Sequence, residues 1–270
     1  MTQKKPFGDD KSSPSVDCLM VALPILDRVP MVKQSIADFI AQTYEAKSLI
    51  IVINGGIKAV RNELRAYISQ LDQANIRLVE PDGDHTLAEL RNISLSEARS
   101  DLVCQWDDDD RNHPQRLEKQ IRCLIEGDFE AVYLQDVMQY FSGEASLFWI
   151  NWRTTPLQGH PGTLLAKRSE SLRYRAKGAE ARLGEDSVLA RDLIRQGHVG
   201  YLADMAHLFI YVTHASNSWP VDHHLMLQSE LAISKGLLKR RETSLRAELM
   251  TYGFKTPVRL QGNNGEAFVL

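Results

Sequence analysis

The sequence is poor in cysteine: Cys18, Cys104 and Cys123 are all it has, an odd number with no CxxC spacing. That excludes a disulfide framework and a Cys-rich zinc site, and leaves reduced thiols. Long apolar runs are missing too. The longest, such as Leu49 to Ile53 and Leu147 to Ile150, fall far short of the ~18 residues that a membrane-spanning helix needs. Neither sign of charge dominates, since 32 Lys and Arg against 35 Asp and Glu give a formal charge of −3. These charges are interspersed, so no nucleic-acid partner is expected. No internal repeat is visible. The N-terminal MTQKKPFGDDKSSPS has no apolar stretch after its lysines and reads as a disordered tail over 1–15, not a secretory signal. A cytoplasmic location is the expectation.

What is present is ordinary globular composition: 270 residues, 43% hydrophobic and 25% charged, enough for one large domain. From Val16 short apolar runs alternate with amphipathic segments, the signature of βα units. Strands are predicted at Cys18 to Leu23, Leu49 to Ile53, Ile76 to Val79, Leu102 to Trp106 and Ala131 to Gln135. Val32, Ile36, Phe39 and Ile40 share one helical face after the first strand, as do Leu117, Ile121, Leu124 and Ile125 after Pro114. Further helices are expected around Lys58 to Leu71 and Thr86 to Ala98. The pattern predicts an α/β fold with a Rossmann-like, doubly wound, mostly parallel sheet over 16–137.

Beyond Val137 the pattern loosens from Met138 to Trp152. Short strands follow at Thr163 to Ala166, Val199 to Leu202 and Leu208 to Val212, with a helix from Glu185 to Gln196. We assign 138–224 as an elaboration of the same sheet. A last helix from His224 to about Leu249 and an irregular tail after Gly253 make up 225–270.

Ligands of open parallel sheets bind at the carboxyl ends of the strands. There the strand ending at Trp106 runs into Asp107-Asp108-Asp109-Asp110. Several carboxylates converging at a strand end raise one another's pKa unless a cation neutralises them. Mg²⁺ or Mn²⁺ held by one or two of them, with water and substrate phosphates completing the shell, answers that need. Asp107 and Asp109, alternating on an extended segment, are expected to point the same way. The alternative is a solvated acidic turn that caps the helix beginning at Pro114.

Taken together, the strings VALPILDRVPMVKQSIADFIAQTYEAKSLIIVINGG, LAELRNISLSEARSDLVCQWDDDDRNHPQRLEKQ and GEDSVL resemble family 2 glycosyltransferases, which have the GT-A fold. The likeness is close over Asp17 to Ile125 and looser to His224. It implies a metal-dependent, inverting transfer of a sugar from a nucleotide diphosphate donor, most commonly a UDP-sugar, to the hydroxyl of a saccharide or lipid-linked acceptor. Asp107, Asp109 and Asp110 correspond to the family's Asp-x-Asp and its frequent third acid. They would hold the Mn²⁺ or Mg²⁺, and Asp107 and Asp108 would face the donor.

The resemblance also places the nucleoside between Pro24-Ile25-Leu26-Asp27 and Ile53-Asn54-Gly55-Gly56, making Pro24, Leu26 and Asn54 donor contacts. The family's usual Thr-Tyr-Asn and Asp-Asp-Gly-Ser are absent from these two loops. Arg91 matches an arginine near the nucleotide, suited to bidentate pairing with carboxylate or phosphate. Its alternative is a surface pairing with Glu89 or Glu97. Glu185 and Asp186 match the acceptor-side acids, Asp186 being the expected base. Their alternative is stabilisation of a helix N-terminus. His214, in the HxxNxW string, corresponds to a histidine that completes the metal site in some relatives, and His160 to a shaper of the acceptor pocket.

Two other functions fit the same residues: a catalytically silent sugar-nucleotide-binding module, and a nucleotidyltransferase on a related scaffold. The second lacks the Gly-rich basic phosphate loop it would need. The cluster Lys239-Arg240-Arg241 is a candidate for weak peripheral contact with anionic lipid, against the plainer role of a solvated helix face.

Overall fold

The computed structural model describes residues 13–254 and 257–270. Residues 1–12 of the expected tail lie outside the described residues. Ser15, which was assigned to that tail, is instead tied down, its N and Oγ bonding Asp101 Oδ2 at 2.9 and 3.0 Å.

The first half alternates as predicted: β1 (Val16–Ala22), α1 (Val29–Ile40), β2 (Lys47–Ile53), α2 (Lys58–Gln70), β3 (Ile76–Val79), α3 (Leu87–Glu97), β4 (Leu102–Gln105), the short β5 (Arg111–Asn112), α4 (Arg116–Glu126) and β6 (Ala131–Leu134). The second half adds β7 (Asp136–Phe141), β8 (Ser146–Asn151), β9 (Leu165–Lys167), α5 (Glu185–Gln196), β10 (Val199–Leu202), β11 (Phe209–Thr213), α6 (Val221–Leu231), α7 (Lys235–Arg240), α8 (Glu242–Leu249), β12 (Arg259–Gly262) and β13 (Gly265–Val269).

Seven strands form the main sheet in the order β10-β6-β9-β4-β1-β2-β3, parallel except for β9. The apolar runs of β1 and β2 are buried on both faces, as buried parallel strands require. Cys18, Met20, Leu49 and Ile51 pack with α1, α2 and α4, whereas Leu19, Ile50 and Val52 pack with α3 and α5. Ile40 and Ile125, placed on buried helix faces by their spacing, are 39% and 47% exposed because they lie at the helix ends, beyond the sheet.

A second sheet, β13-β12-β8-β7-β11-β5, corrects the reading of the second half. The segment that seemed to loosen, Met138 to Trp152, is the β7–β8 hairpin. The strand expected at Thr163 to Ala166 begins later, after a 3-10 turn at Pro161–Thr163, and runs antiparallel between β4 and β6. The single helix expected from His224 to Leu249 is three. Ala232 ends α6 by bridging to Ile150, and Ser234 opens α7 by accepting from Leu237 N. The tail after Gly253 is not irregular. It folds into β12–β13, with β12 parallel to β8 and Leu260 and Phe268 buried. Residues 225–270 therefore share a sheet and a core with 138–224, and no boundary falls at 224. Of the basic cluster, Arg241 is committed to Asp204 at 2.7 Å and to the face of Trp149, while Lys239 and Arg240 are exposed. Among the described residues no helix is long and apolar enough to cross a membrane.

Candidate active site

The acid run is where the chain leaves one sheet for the other: β4 belongs to the first, and β5, starting at Arg111, to the second. Trp106 anchors the bend. It is fully buried edge-on to Phe39, with Arg116 over its face and its Nε1 donating to Ser35 O. Ser35 Oγ in turn donates to Asp107 O at 2.8 Å. With its main chain held, the run can send its four carboxylates in different directions.

Two arginines organise them. Arg28, in the turn between β1 and α1, reaches Asp108 Oδ1 at 2.8 Å and Asp109 Oδ2 at 2.7 Å, and donates to Ser216 O. Arg91, on α3, reaches Asp107 Oδ1 at 3.0 Å and Glu185 Oε1 at 2.7 Å. The helix that carries Arg91 is started by a capping box in which Thr86 and Glu89 exchange hydrogen bonds. Arg91 therefore does not pair with Glu89 or Glu97 on the surface. It is 8% exposed and bridges the acid run to α5.

The four acids then separate by environment. Asp108, 3% exposed and accepting also from Leu23 N, is pushed up to about 7 by burial and then by Asp109, against the pull of Arg28. Asp110 turns inward to accept from Val212 N at 2.8 Å, and burial followed by Asp109 and Asp107 raises its carboxyl well above the usual range. Burial would raise Asp109 as well, but the hydrogen bond from His214 and the charge of Arg28 outweigh it and hold that carboxyl low. Asp107 keeps 21% of its side chain exposed. Asp107 and Asp109 thus keep part of their side chains exposed, whereas Asp108 and Asp110 are buried and tied to backbone N–H groups.

At the start of α5 Glu185 is buried and spent on Arg91. Its neighbour Asp186 is half-buried, bonded at Oδ1 to Ser187 N, and raised to about 7 by burial first and by Glu185 next, with Arg91 opposing. The two arginines, the four aspartates of the run, Glu185 and Asp186 line one cleft of about 620 Å³.

The model of the family described as Glycosyl transferase family 2 matches residues 20–179, which is more than half of the chain. The chain belongs to glycosyltransferase family 2. Its similarity to solved structures shows the GT-A fold. TarS 1-349 from S. aureus is 10% identical, with 89% of this chain and 72% of that chain covered and a TM-score of 0.56. The mannosyltransferase PcManGT from Pyrobaculum calidifontis, solved with GDP-Man and Mn²⁺, is 14% identical, with 93% and 77% covered and a TM-score of 0.58. TarS 1-349 in complex with UDP-GlcNAc is 12% identical over 86% and 66%, at a TM-score of 0.55. No curated protein matches.

In this glycosyltransferase the predicted residues Asn54, Arg91, Asp107, Asp108, Asp109, Asp110, Glu185 and Asp186 all line the cleft. Two expected donor contacts fall outside the cleft lining. Pro24 is buried against Gly56, whose φ is +69° and where a Cβ would meet Pro24 O at 2.7 Å, and Leu26 is 67% exposed. Neither lines the cleft; Val21, Ala22 and Leu23, one step earlier, do. The close approach of Pro24 to Gly56 turns the proline inward and throws the residues after it to the surface.

Asn54 lines the cleft while its Nδ2 holds Pro81 O and Gly83 O, so it fixes the neighbouring loop. His214 is set behind the acids, with Nδ1 accepting from Ser216 N and Nε2 3.1 Å from Asp109 Oδ2. In that tautomer it donates to Asp109 and aims the carboxylate. His160 is buried among Trp152, Phe209 and Tyr211 and held neutral, its pKa lowered to about 3 by burial and then by Arg116.

Sequence reasoning missed Arg28, Tyr211, Trp219 and the exposed Arg182, all of which line the cleft. A cation in the loop just past the first strand was a readable signal for Arg28; the others are joined to the site only by folding. The donor set fits a hard divalent cation, because Asp107 Oδ2 and Asp109 Oδ1 carry no arginine hydrogen bond and carboxylate oxygens suit Mg²⁺ and Mn²⁺. Among the described residues the run does not offer three ligand atoms within 4.8 Å, so it could supply two ligands at most, with water and phosphate left to complete a shell.

Proposed function

We propose that the cleft transfers a sugar, with inversion at the anomeric carbon, from a nucleotide diphosphate donor to an acceptor hydroxyl, in a reaction that requires Mn²⁺ or Mg²⁺. The observation that carries this is the pairing of two unlike acid sets in one cleft. Asp109 is held below the usual carboxylate range and, like Asp107, keeps part of its side chain open, whereas Asp186 is a half-buried carboxyl raised to about 7. A base works best when its pKa lies near the working pH, so Asp186 suits removal of the acceptor hydroxyl proton. Arg91 holds Glu185 out of that role and keeps Asp186 oriented through α5.

Asp107 and Asp109 would hold the cation. When bound, it supplies Lewis-acid stabilisation of the departing diphosphate. Val21 to Leu23 and Asn54 and Gly55, at the carboxyl ends of β1 and β2, support a nucleoside site there. The UDP, UDP-GlcNAc and GDP-Man found with the neighbouring structures make a uridine or guanosine diphosphate sugar the first donors to try.

The test is Asp186→Asn, assayed for donor binding by calorimetry and for transfer or donor hydrolysis in Mn²⁺. The amide keeps the shape but cannot take a proton. Turnover is expected to fall by about 10² to 10⁴-fold with donor affinity nearly unchanged. Turnover of the folded variant within a factor of a few of wild type removes Asp186 from the role.

A further inference from the structure

Outside the cleft, His113, His207 and Glu248 bring three potential ligand atoms within 4.8 Å of one another, and they are the one such group among the described residues. None of the three lines the cleft. They come from separate segments: His113 follows β5, His207 lies in the 3-10 turn before β11, and Glu248 is near the end of α8. We propose that these three side chains form a second metal site, for a borderline divalent cation such as Zn²⁺, that ties α8 to the segment leaving the acid run.

The chemistry of the donors points to that class of ion. Two imidazoles and one carboxylate, with a fourth position open to water, suit tetrahedral Zn²⁺, whereas an all-oxygen set suits Mg²⁺ or Mn²⁺. Both imidazoles are available as neutral ligands. Burial lowers His113, and burial lowers His207 to about 4 against the opposing charge of Glu248. Glu248 has 39% of its side chain exposed, which leaves an entry path from solvent.

The independent sign of a ligand is His113 Nε2. Its side chain is only 4% exposed, and the atom lies 3.3 Å from Glu248 Oε2 yet makes no hydrogen bond. A buried polar nitrogen without a partner is costly. His214 is instructive by contrast: it shares the arrangement of Nδ1 facing a backbone N–H two residues on, but its Nε2 is satisfied by Asp109. Metal on His113 Nε2 moves the ring proton to Nδ1 and gives up the Gln115 N contact, which at 3.2 Å is a long hydrogen bond. In exchange the orphaned nitrogen gains a ligand bond, and because the ring is already neutral the proton only changes nitrogen and none is released.

The test uses the full chain, freed of metal with a chelator. Zn²⁺ is titrated by calorimetry and by thermal melting into wild type, His207→Ala, Glu248→Gln and, as a control for the cleft, Asp109→Asn. Wild type and Asp109→Asn are expected to bind one equivalent and to melt higher with Zn²⁺. His207→Ala and Glu248→Gln are expected to lose about tenfold or more in affinity. Co²⁺ in place of Zn²⁺ should give the visible bands of a four-coordinate site in wild type only where Zn²⁺ then displaces it. Absence of Zn²⁺ binding in wild type, equal binding in Glu248→Gln, or loss confined to Asp109→Asn overturns the proposal. Because Glu248 is only half-buried, its variant reports even if His207→Ala fails to fold.

Discussion

Replacing Arg28 by Met removes a guanidinium that is 8% exposed while keeping its apolar stem, and strips Asp108 and Asp109 of contacts at 2.8 and 2.7 Å. Breaking a buried ion pair from one side costs about 3–5 kcal/mol, because the partner charge stays buried and unpaired. At about 2–4 °C per kcal/mol for a chain of this size, the melting temperature should fall on the order of 10 °C near pH 8. The loss depends on pH with a definite sign. Asp108 titrates near 7 even beside Arg28, so without it the carboxyl rises further. A raised native pKa means that the folded protein binds more protons than the unfolded one between about pH 4 and that value, so stability falls as pH rises through this window. The gap between variant and wild type should therefore widen from pH 6 to pH 8. Melting followed by circular dichroism at both pH values measures it. A gap under about 2 °C at pH 8, or one equal at the two pH values, refutes the view that Arg28 neutralises a strained acid pair.

Asp109→Asn should abolish Mn²⁺-dependent donor binding in calorimetry. It should also lower stability at neutral pH, since a carboxylate held below its ordinary range stabilises the fold above that range. His214→Ala should weaken Mn²⁺ affinity severalfold by releasing Asp109 from its 3.1 Å contact, and metal titrations that match wild type would show that the ring does not aim the carboxylate. The transfer rate of wild type should climb with pH through about 7 as Asp186 loses its proton, and the limb should vanish in the residual activity of Asp186→Asn.

Most of the main sheet was legible in the sequence. Runs such as Leu49 to Ile53, closed by Asn54-Gly55-Gly56, can be buried on both faces only as central strands, and the helical spacing between them leaves a doubly wound order as the natural solution. Four carboxylates at a strand end and the Glu185-Asp186 pair at a helix start marked the cleft, because like charges cluster only where something neutralises them. The second sheet was less legible, since the hairpins β7–β8 and β12–β13 lack a strong local period and are joined through the long-range pairing of β8 with β12. The GNNG turn at Gly262 to Gly265 was the available signal for the last hairpin.

Tertiary structure alone decided the roles within the acid run. Four identical side chains in a row carry no sequence-level distinction. Arg28 and Arg91 arrive from β1–α1 and α3, Val212 N from β11 and His214 from beyond it, and these partners hold the Asp109 carboxyl low while Asp108 and Asp110 are buried. Burial likewise separates Glu185, paired to Arg91, from Asp186, poised near 7, although the two are adjacent in the chain. Residue type and position at a strand end fix which chemistry is available. The partners that folding brings within 3 Å fix which carboxylate performs it, because desolvation and pairing set a pKa and neither is a property of the local sequence.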